Sequence, residues 1–178
     1  MQNPYRLIES REAYCARNFR IREDAVQRPN GVVAPFAVIE MKHGSTTLPL
    51  DSDGSVYLVR EYKYGVGRAT LEAASGGIEP NETPLEAAKR ELREEVGLIA
   101  SEWVDFGHVD PFTTQLVSPN HIFLARGLEH VDSDPDEGEV IEVARMPLDE
   151  AVAMAMRGEI THAATCVILL KVRLWIGS

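Results

Sequence analysis

One stretch of 23 residues constrains this chain more than any other: residues 76–98, GGIEPNETPLEAAKRELREEVGL. It carries its own helix punctuation. Thr83 suits the N-cap, Pro84 suits the first helical position, where a missing N–H costs nothing, and Glu86 stands three residues beyond the cap to close a capping box. Gly97 supplies a left-handed stop. The pattern predicts a helix over residues 84–96. At about 100° per residue, Leu85, Ala88, Leu92 and Val96 fall in one arc and are expected to face the core. Glu91, Glu94 and Glu95 crowd a neighbouring arc, related by steps of three and four. Like charges there repel. Arg90 can pair with Glu94 at i+4 but cannot neutralise all three. Two readings stand open: a solvated acidic face with surface ion pairs, or a site for a hard divalent cation, Mg²⁺ or Mn²⁺, which takes oxygen ligands.

The rest of the chain narrows the company this helix keeps. With 178 residues, one domain with a substantial core is expected. A formal charge of −10 lacks the basic footprint of a nucleic-acid binder, so no nucleic acid is expected as a partner. A nucleotide stays possible, because a cation can carry the anion's charge. Cys15 and Cys166 lie far apart without ligand spacing, which points to a reduced, cytoplasmic protein and not to a disulfide. MQNPYRLIES has no apolar signal core, and no apolar run approaches the roughly 20 residues that span a bilayer. No membrane partner is expected.

Alternation predicts strands over residues 14–21, 31–42, 56–62, 102–109 and 120–125. The turn signal at Asp51-Ser52-Asp53-Gly54 suggests a hairpin between the second and third of these. A helix is predicted over residues 147–157, stopped by Gly158, and a last helix capped by Thr161 runs to about Trp175. Strands, the acidic helix, more strands and two final helices make an α/β sandwich. His108 and His121 have no i+4 histidine and no cysteine neighbour, so they read as packing or hydrogen-bonding residues and not as a zinc site. Asp132, Asp134 and Asp136 alternate like the start of a calcium loop, but Glu137 stands where that loop needs glycine.

The acidic stretch reads Gly76, five residues, Glu82, seven residues, then Arg90-Glu91-Leu92-Arg93-Glu94-Glu95-Val96-Gly97-Leu98. This resembles the Nudix box of the Nudix hydrolases, and it fills every fixed position. The resemblance covers roughly residues 32–175. It implies an α/β/α sandwich with a mixed sheet and a loop–helix–loop that binds divalent metal. It makes Glu91, Glu94 and Glu95 the metal-ligand candidates, Arg90 their orienting partner, Glu82 a secondary acidic contributor and Gly76 the shaper of the entering loop. In the ADP-sugar branch, a backbone oxygen at the position of Ser75 also serves as a ligand. Glu61-Tyr62-Lys63 stands where that branch often has Gln-Tyr-Arg, so Lys63 replaces an arginine as a phosphate contact, a point charge in place of a fork. Glu72-Ala73-Ala74-Ser75-Gly76 aligns with Glu-Leu-Pro-Ala-Gly and keeps Glu72 and Gly76.

The same branch places a glutamate just before an Ile-x-Val strand, here Ile141-Glu142-Val143. Glu139 fits that place and Glu137 lies two residues earlier. Either serves as base or as an extra metal ligand, and the two are not separable here. Residues 110–119 correspond to the loop that faces substrate, where Phe112 can stack on a base or sugar or else sit in the core. The Ser-Pro-Gly usual for ADP-ribose hydrolases is not matched, and Ser118 stands at its acidic position. In that branch an N-terminal β extension often pairs with a second subunit; residues 1–30, ahead of a Nudix domain over residues 31–178, take that place or form a simple edge strand. A homodimer is expected.

The implied activity is Mg²⁺-dependent hydrolysis of the diphosphate bond of a nucleoside diphosphate sugar, ADP-ribose or a relative, to a nucleoside monophosphate and a sugar phosphate. Mn²⁺ is a possible substitute. GDP-mannose, CoA, dinucleoside polyphosphates and oxidised nucleotides stay open as substrates. So does a nucleotide-sensing module without catalysis.

Overall fold

The computed structural model describes residues 1–133 and 140–177. The chain falls into two units, residues 1–42 with 110–119, and residues 43–109 with the chain from 120 onward.

The first unit is one four-stranded sheet. Strands β1 (Arg6–Cys15), β2 (Phe19–Gln27) and β3 (Val33–Met41) form an antiparallel meander, and the two-residue strand Leu116–Val117, β9 in chain order, adds parallel to β3. The strand expected over residues 14–21 is in fact the turn of the β1–β2 hairpin. Ala16 N–H donates to the Phe19 carbonyl at 2.8 Å, and the Tyr14 and Phe19 rings meet at 5.7 Å. Apolar alternation alone cannot distinguish one strand through Cys15, Phe19 and Ile21 from two strands folded at residues 16–18. Ion pairs Arg11–Glu23 and Arg22–Glu40 cross the strands. Strand β1 is exposed along its whole length, including Leu7, Ile8 and Tyr14.

The second unit holds two sheets and three helices. In order, its strands are β4 (Gly44–Pro49), β5 (Ser55–Lys63), β6 (Arg68–Glu72), β7 (Ala74–Gly77), β8 (Leu98–Val109), β10 (Asn120–His130) and β11 (Glu142–Pro147). One sheet runs β7-β4-β10-β8 and is mixed, with β10 parallel to β4; the other runs β11-β5-β6 and is antiparallel. The helices are α1 (Pro84–Val96), α2 (Leu148–Met156) and α3 (Ala163–Ile176). Alternate residues of β5 join different cores. Val56 and Leu58 pack with Ile168, Leu169 and Val172 of α3, whereas Tyr57 and Val59 pack with Leu92 and Val96 of α1. Helices thus cover both faces, and strands buried on both faces read as near-continuous apolar runs. No helix among the described residues is long and apolar enough to cross a membrane.

The hairpin expected between residues 31–42 and 56–62 does not form. Strand β4 intervenes, and the turn at residues 51–54 joins β4 to β5, closed by Gly54 N–H to the Asp51 carbonyl at 3.1 Å. Strand β4 looks too polar to be central, yet Ser45, Thr46 and Thr47 are fully buried. Two of these hydroxyls are used on α1. Ser45 Oγ donates to the Pro84 carbonyl at 2.9 Å and Thr47 Oγ1 to the Ala88 carbonyl at 3.4 Å. Thr161 does not cap α3 either. Its hydroxyl accepts from Arg68 at 2.8 Å, and His162 occupies the cap position.

Candidate active site

Helix α1 has the ends its sequence specifies. Thr83 Oγ1 accepts from Glu86 N–H at 3.3 Å, Glu86 Oε2 accepts from Thr83 N–H at 2.7 Å, and Gly97 takes φ 67° with its N–H on the Arg93 carbonyl at 3.0 Å. The Thr83 hydroxyl, then its N–H, hold the Glu86 carboxyl below its ordinary pKa. Ala88, Leu92 and Val96 are buried as expected; Leu85 is only half-buried. The loop before the helix turns through Asn81 at φ 68°, and Glu82 braces it by accepting from Glu79 N–H at 2.9 Å.

Arg90 is the hub of the acidic arc. Its Nε and Nη2 grip Glu82 at 2.9 and 3.1 Å. Nη1 donates to Glu91 at 2.6 Å and Glu94 at 3.0 Å, and Nη2 also reaches the Gly77 carbonyl at 3.0 Å. These five contacts match the five N–H donors of a guanidinium. Glu82 first, with Glu91 and Glu94, raises the Arg90 pKa further above its ordinary value against the opposing effect of burial. Glu95 stands apart from the hub. It is 9% exposed and its Oε2 accepts from Ser75 N–H at 2.9 Å. Strand β7 must pass close to Glu91. A Cβ at Gly76 would lie 1.8 Å from Glu91 Oε1.

The residues fit a hard cation by their donor chemistry. Glu91, Glu94 and Glu95 and the peptide oxygen of Ser75 are all oxygen donors. Arg90 brings one positive charge to three carboxylates, Glu82, Glu91 and Glu94, and Glu95 adds a fourth negative group nearby on the helix. That imbalance is what a divalent cation corrects. Among the described residues, no three His, Cys, Asp or Glu side chains form a ready cation cage.

Beside the box lies a second polar cluster. Lys63 contacts Glu61. Burial works against its charge, but the Glu61, Glu72 and Glu95 carboxylates outweigh burial and keep the Lys63 pKa above the ordinary lysine value. Glu72 faces His162, with Nδ1 to Oε2 at 3.4 Å. The structure therefore brings Lys63, Glu72 and Glu95 together. Phe112 belongs to the first unit, where it is exposed. Glu137 and Glu139 lie outside the described residues. Sequence reasoning missed Glu61, His162 and Thr165; the approach of α3 to β6 depends on contacts some ninety residues apart, for which no local signal exists. His108 and His121 pack ring to ring across β8 and β10 at 5.7 Å.

A family model, the NUDIX domain, matches residues 42–165. The chain is 29% identical over 177 residues to an ADP-ribose pyrophosphatase of Mycobacterium tuberculosis, a match covering 96% of this chain and 84% of that protein. It is 30% identical over 124 residues to the ADP compounds hydrolase NudE of Escherichia coli, covering 70% of this chain and 67% of that one. The crystal structure of an ADP compounds hydrolase shares the fold with a TM-score of 0.87, at 24% identity, over 99% of this chain and 96% of that one. With its box helix capped, its arginine hub in place and more than half its length matched, the chain belongs to the Nudix hydrolase family.

Proposed function

We propose that the protein hydrolyses the diphosphate bond of a nucleoside diphosphate sugar, ADP-ribose or a related compound, with Mg²⁺ as the working cation and Mn²⁺ as a substitute. The products are a nucleoside monophosphate and a sugar phosphate. The observation that carries this reading is the Arg90 hub, which fixes Glu82, Glu91 and Glu94 in one array next to Glu95 and Ser75. The relatives act on ADP-ribose and on ADP compounds by their names, which favours a nucleoside diphosphate linked to a second group.

In this reading Glu91, Glu94, Glu95 and the Ser75 carbonyl hold the cation. Such an ion, when bound, neutralises the diphosphate and lowers the pKa of water. Arg90 keeps the glutamates oriented, as outer-shell partners of ligands do. Lys63, held protonated by its carboxylate neighbours, supplies a fixed positive charge for a phosphate oxygen. Glu72 accepts hydrogen bonds from substrate, Phe112 stacks on it, and Glu139 or Glu137 receives the proton of the attacking water. Residues 1–30 serve as a β extension ahead of the Nudix domain and pair with a second copy. The wholly exposed strand β1 with Leu7, Ile8 and Tyr14 supports this. Cys15 and Cys166 are both free thiols, which suits the cytoplasm.

The test is phosphatase-coupled release from a panel of nucleoside diphosphate sugars, CoA, dinucleoside polyphosphates and nucleoside triphosphates, with and without Mg²⁺. Strong Mg²⁺-dependent release from a nucleoside diphosphate sugar is the expected result. Release confined to CoA or dinucleoside polyphosphates refutes the substrate class. Silence across the panel with tight nucleotide binding by calorimetry refutes catalysis.

A further inference from the structure

Helix α3 begins against the strand that leads into the box, and its first turn is tied there three times. Arg68 donates to Thr161 Oγ1 at 2.8 Å. The fully buried Thr165 accepts from Ala73 N–H at 2.9 Å. Between these ties His162 places Nδ1 2.9 Å from Thr165 Oγ1 and 3.4 Å from Glu72 Oε2. His162 holds the cap position of α3 yet makes no capping hydrogen bond. A serine, threonine or aspartate there would stabilise the helix by about 1 kcal/mol. The ring instead meets Thr165 and, beyond its own helix, the Glu72 carboxylate, a contact that capping alone does not explain.

The tautomer that suits the site has its hydrogen on Nδ1, because the Glu72 carboxylate oxygen at 3.4 Å can only accept, and it leaves a lone pair on Nε2. No hydrogen bond to Nε2 is found among the described residues, and the side chain keeps 28% of its surface exposed against 13% for Glu72. Burial lowers the His162 pKa, and Lys63 lowers it too, while Glu72 works in the opposite direction. In that tautomer Nε2 is a hydrogen-bond acceptor. The ring stands in the cluster of Lys63, Glu61, Glu72 and Glu95 beside the box. A neutral acceptor among carboxylates gains nothing from a phosphate oxygen. It needs a donor, and several acceptors side by side suit a group with several O–H donors.

We propose that His162 is a substrate-contacting residue. Its Nδ1 is anchored to Glu72 and Thr165, and its Nε2 accepts a hydrogen bond from a hydroxyl of the substrate's sugar. This rests on the reading of the chain as a nucleoside diphosphate sugar hydrolase, and it adds a specificity determinant that lies outside the box.

The experiment compares the full-length wild type with His162→Asn and His162→Gln in Mg²⁺. An asparagine amide falls near Nδ1 and keeps the anchor; a glutamine amide reaches the place of Nε2. Each protein is assayed on the nucleoside diphosphate sugar that the wild type turns over best, and on the same nucleoside diphosphate joined to a simple alkyl alcohol. H162N should raise KM for the sugar substrate about 5–10-fold with kcat held, the scale of one hydrogen bond. It should leave the alkyl substrate unchanged, which also shows that the variant is folded. H162Q should recover much of the loss. An H162N enzyme with unchanged KM overturns the inference while leaving the proposed reaction standing. Equal losses on both substrates overturn it too, because the contact then falls on the base or the phosphates. A wild type inactive on every nucleoside diphosphate sugar overturns the reaction and this inference together.

Discussion

Replacing Gly76 with alanine separates the fold from the chemistry. The new Cβ would lie 1.8 Å from Glu91 Oε1, 2.1 Å from its Cδ and 2.5 Å from Oε2, where ordinary contact begins near 3.4 Å. The carboxylate must retreat by the difference, roughly 1.6 Å, whereas the backbone can stay, since Gly76 is not among the residues with positive φ. The stability terms partly offset one another. Glu91 gives up its bond to Arg90, worth about 1–2 kcal/mol, although Arg90 keeps Glu82 and Glu94. Alanine in a strand regains about 0.5–1 kcal/mol through the unfolded chain. The net is about 1 kcal/mol, a fall in Tm of about 2–4 °C for a chain of this size.

Activity should suffer far more from the same substitution. If Glu91 holds the cation as proposed, a displacement above 1 Å there costs on the order of 10²-fold in kcat/KM. The assay is steady-state turnover across a Mg²⁺ titration, alongside thermal melts of the same samples. A G76A/E91A double variant decides the cause. If Gly76 acts only by leaving room for Glu91, the double variant matches E91A alone, because neighbouring residues in one network are not additive. G76A with wild-type kcat/KM, or additive losses in the double variant, would refute the argument.

Other substitutions test the rest of the site. Arg90→Lys keeps the charge but cannot grip Glu82 with a fork while reaching Glu91, Glu94 and Gly77, so turnover should fall about 10–100-fold with a measurable loss of Tm. Glu95→Gln should cut kcat by ~10³-fold or more yet fold normally, since its amide oxygen can still accept from Ser75 N–H; near-normal turnover would remove Glu95 from the site. Thr83→Ala removes one half of the capping box and should lower stability by about 1 kcal/mol, read as a Tm shift of about 2–4 °C. His121 is held below its ordinary pKa of 6.5 by burial first, then by His108 and His43, with Asp105 opposing. Its stabilising contribution is therefore complete above that value and is lost as pH falls through 6.5 toward the lower folded pKa. Melts from about pH 8 to pH 5 should show that loss, and His121→Asn should flatten it.

What could be read from the chain follows the distance over which each interaction acts. The limits of α1 were legible because the cap, the proline and the glycine all lie within fifteen residues and act on adjacent backbone. The β1–β2 turn was not, since Ala16, Arg17 and Asn18 contain neither glycine nor proline to mark it. Strand β4 was hidden for a different reason. Buried Ser45 and Thr47 look like surface residues until α1 is laid across them, when its own carbonyls become their acceptors. Arg90 shows both regimes in one side chain. Its bond to Glu94 is an i+4 pair that any helix predicts, whereas its fork on Glu82 requires the loop through Asn81 to fold back.

The same division runs through the candidate site and bears on how it can change. The acidic array is local. It is carried by one helix, and its geometry depends on a glycine, a cap and one arginine, so a short sequence signature suffices to specify it. The cluster of Lys63, Glu72 and His162 is not local. It exists because the buried Thr165 hooks Ala73 from 92 residues away and Arg68 holds Thr161 from 93. Residues that meet only through such contacts can vary without disturbing the helix that holds the glutamates. A chain built this way can keep one hydrolytic centre while exchanging the groups proposed to read its substrate, and changes in preference should therefore fall on β5, β6 and the first turn of α3 before they fall on α1.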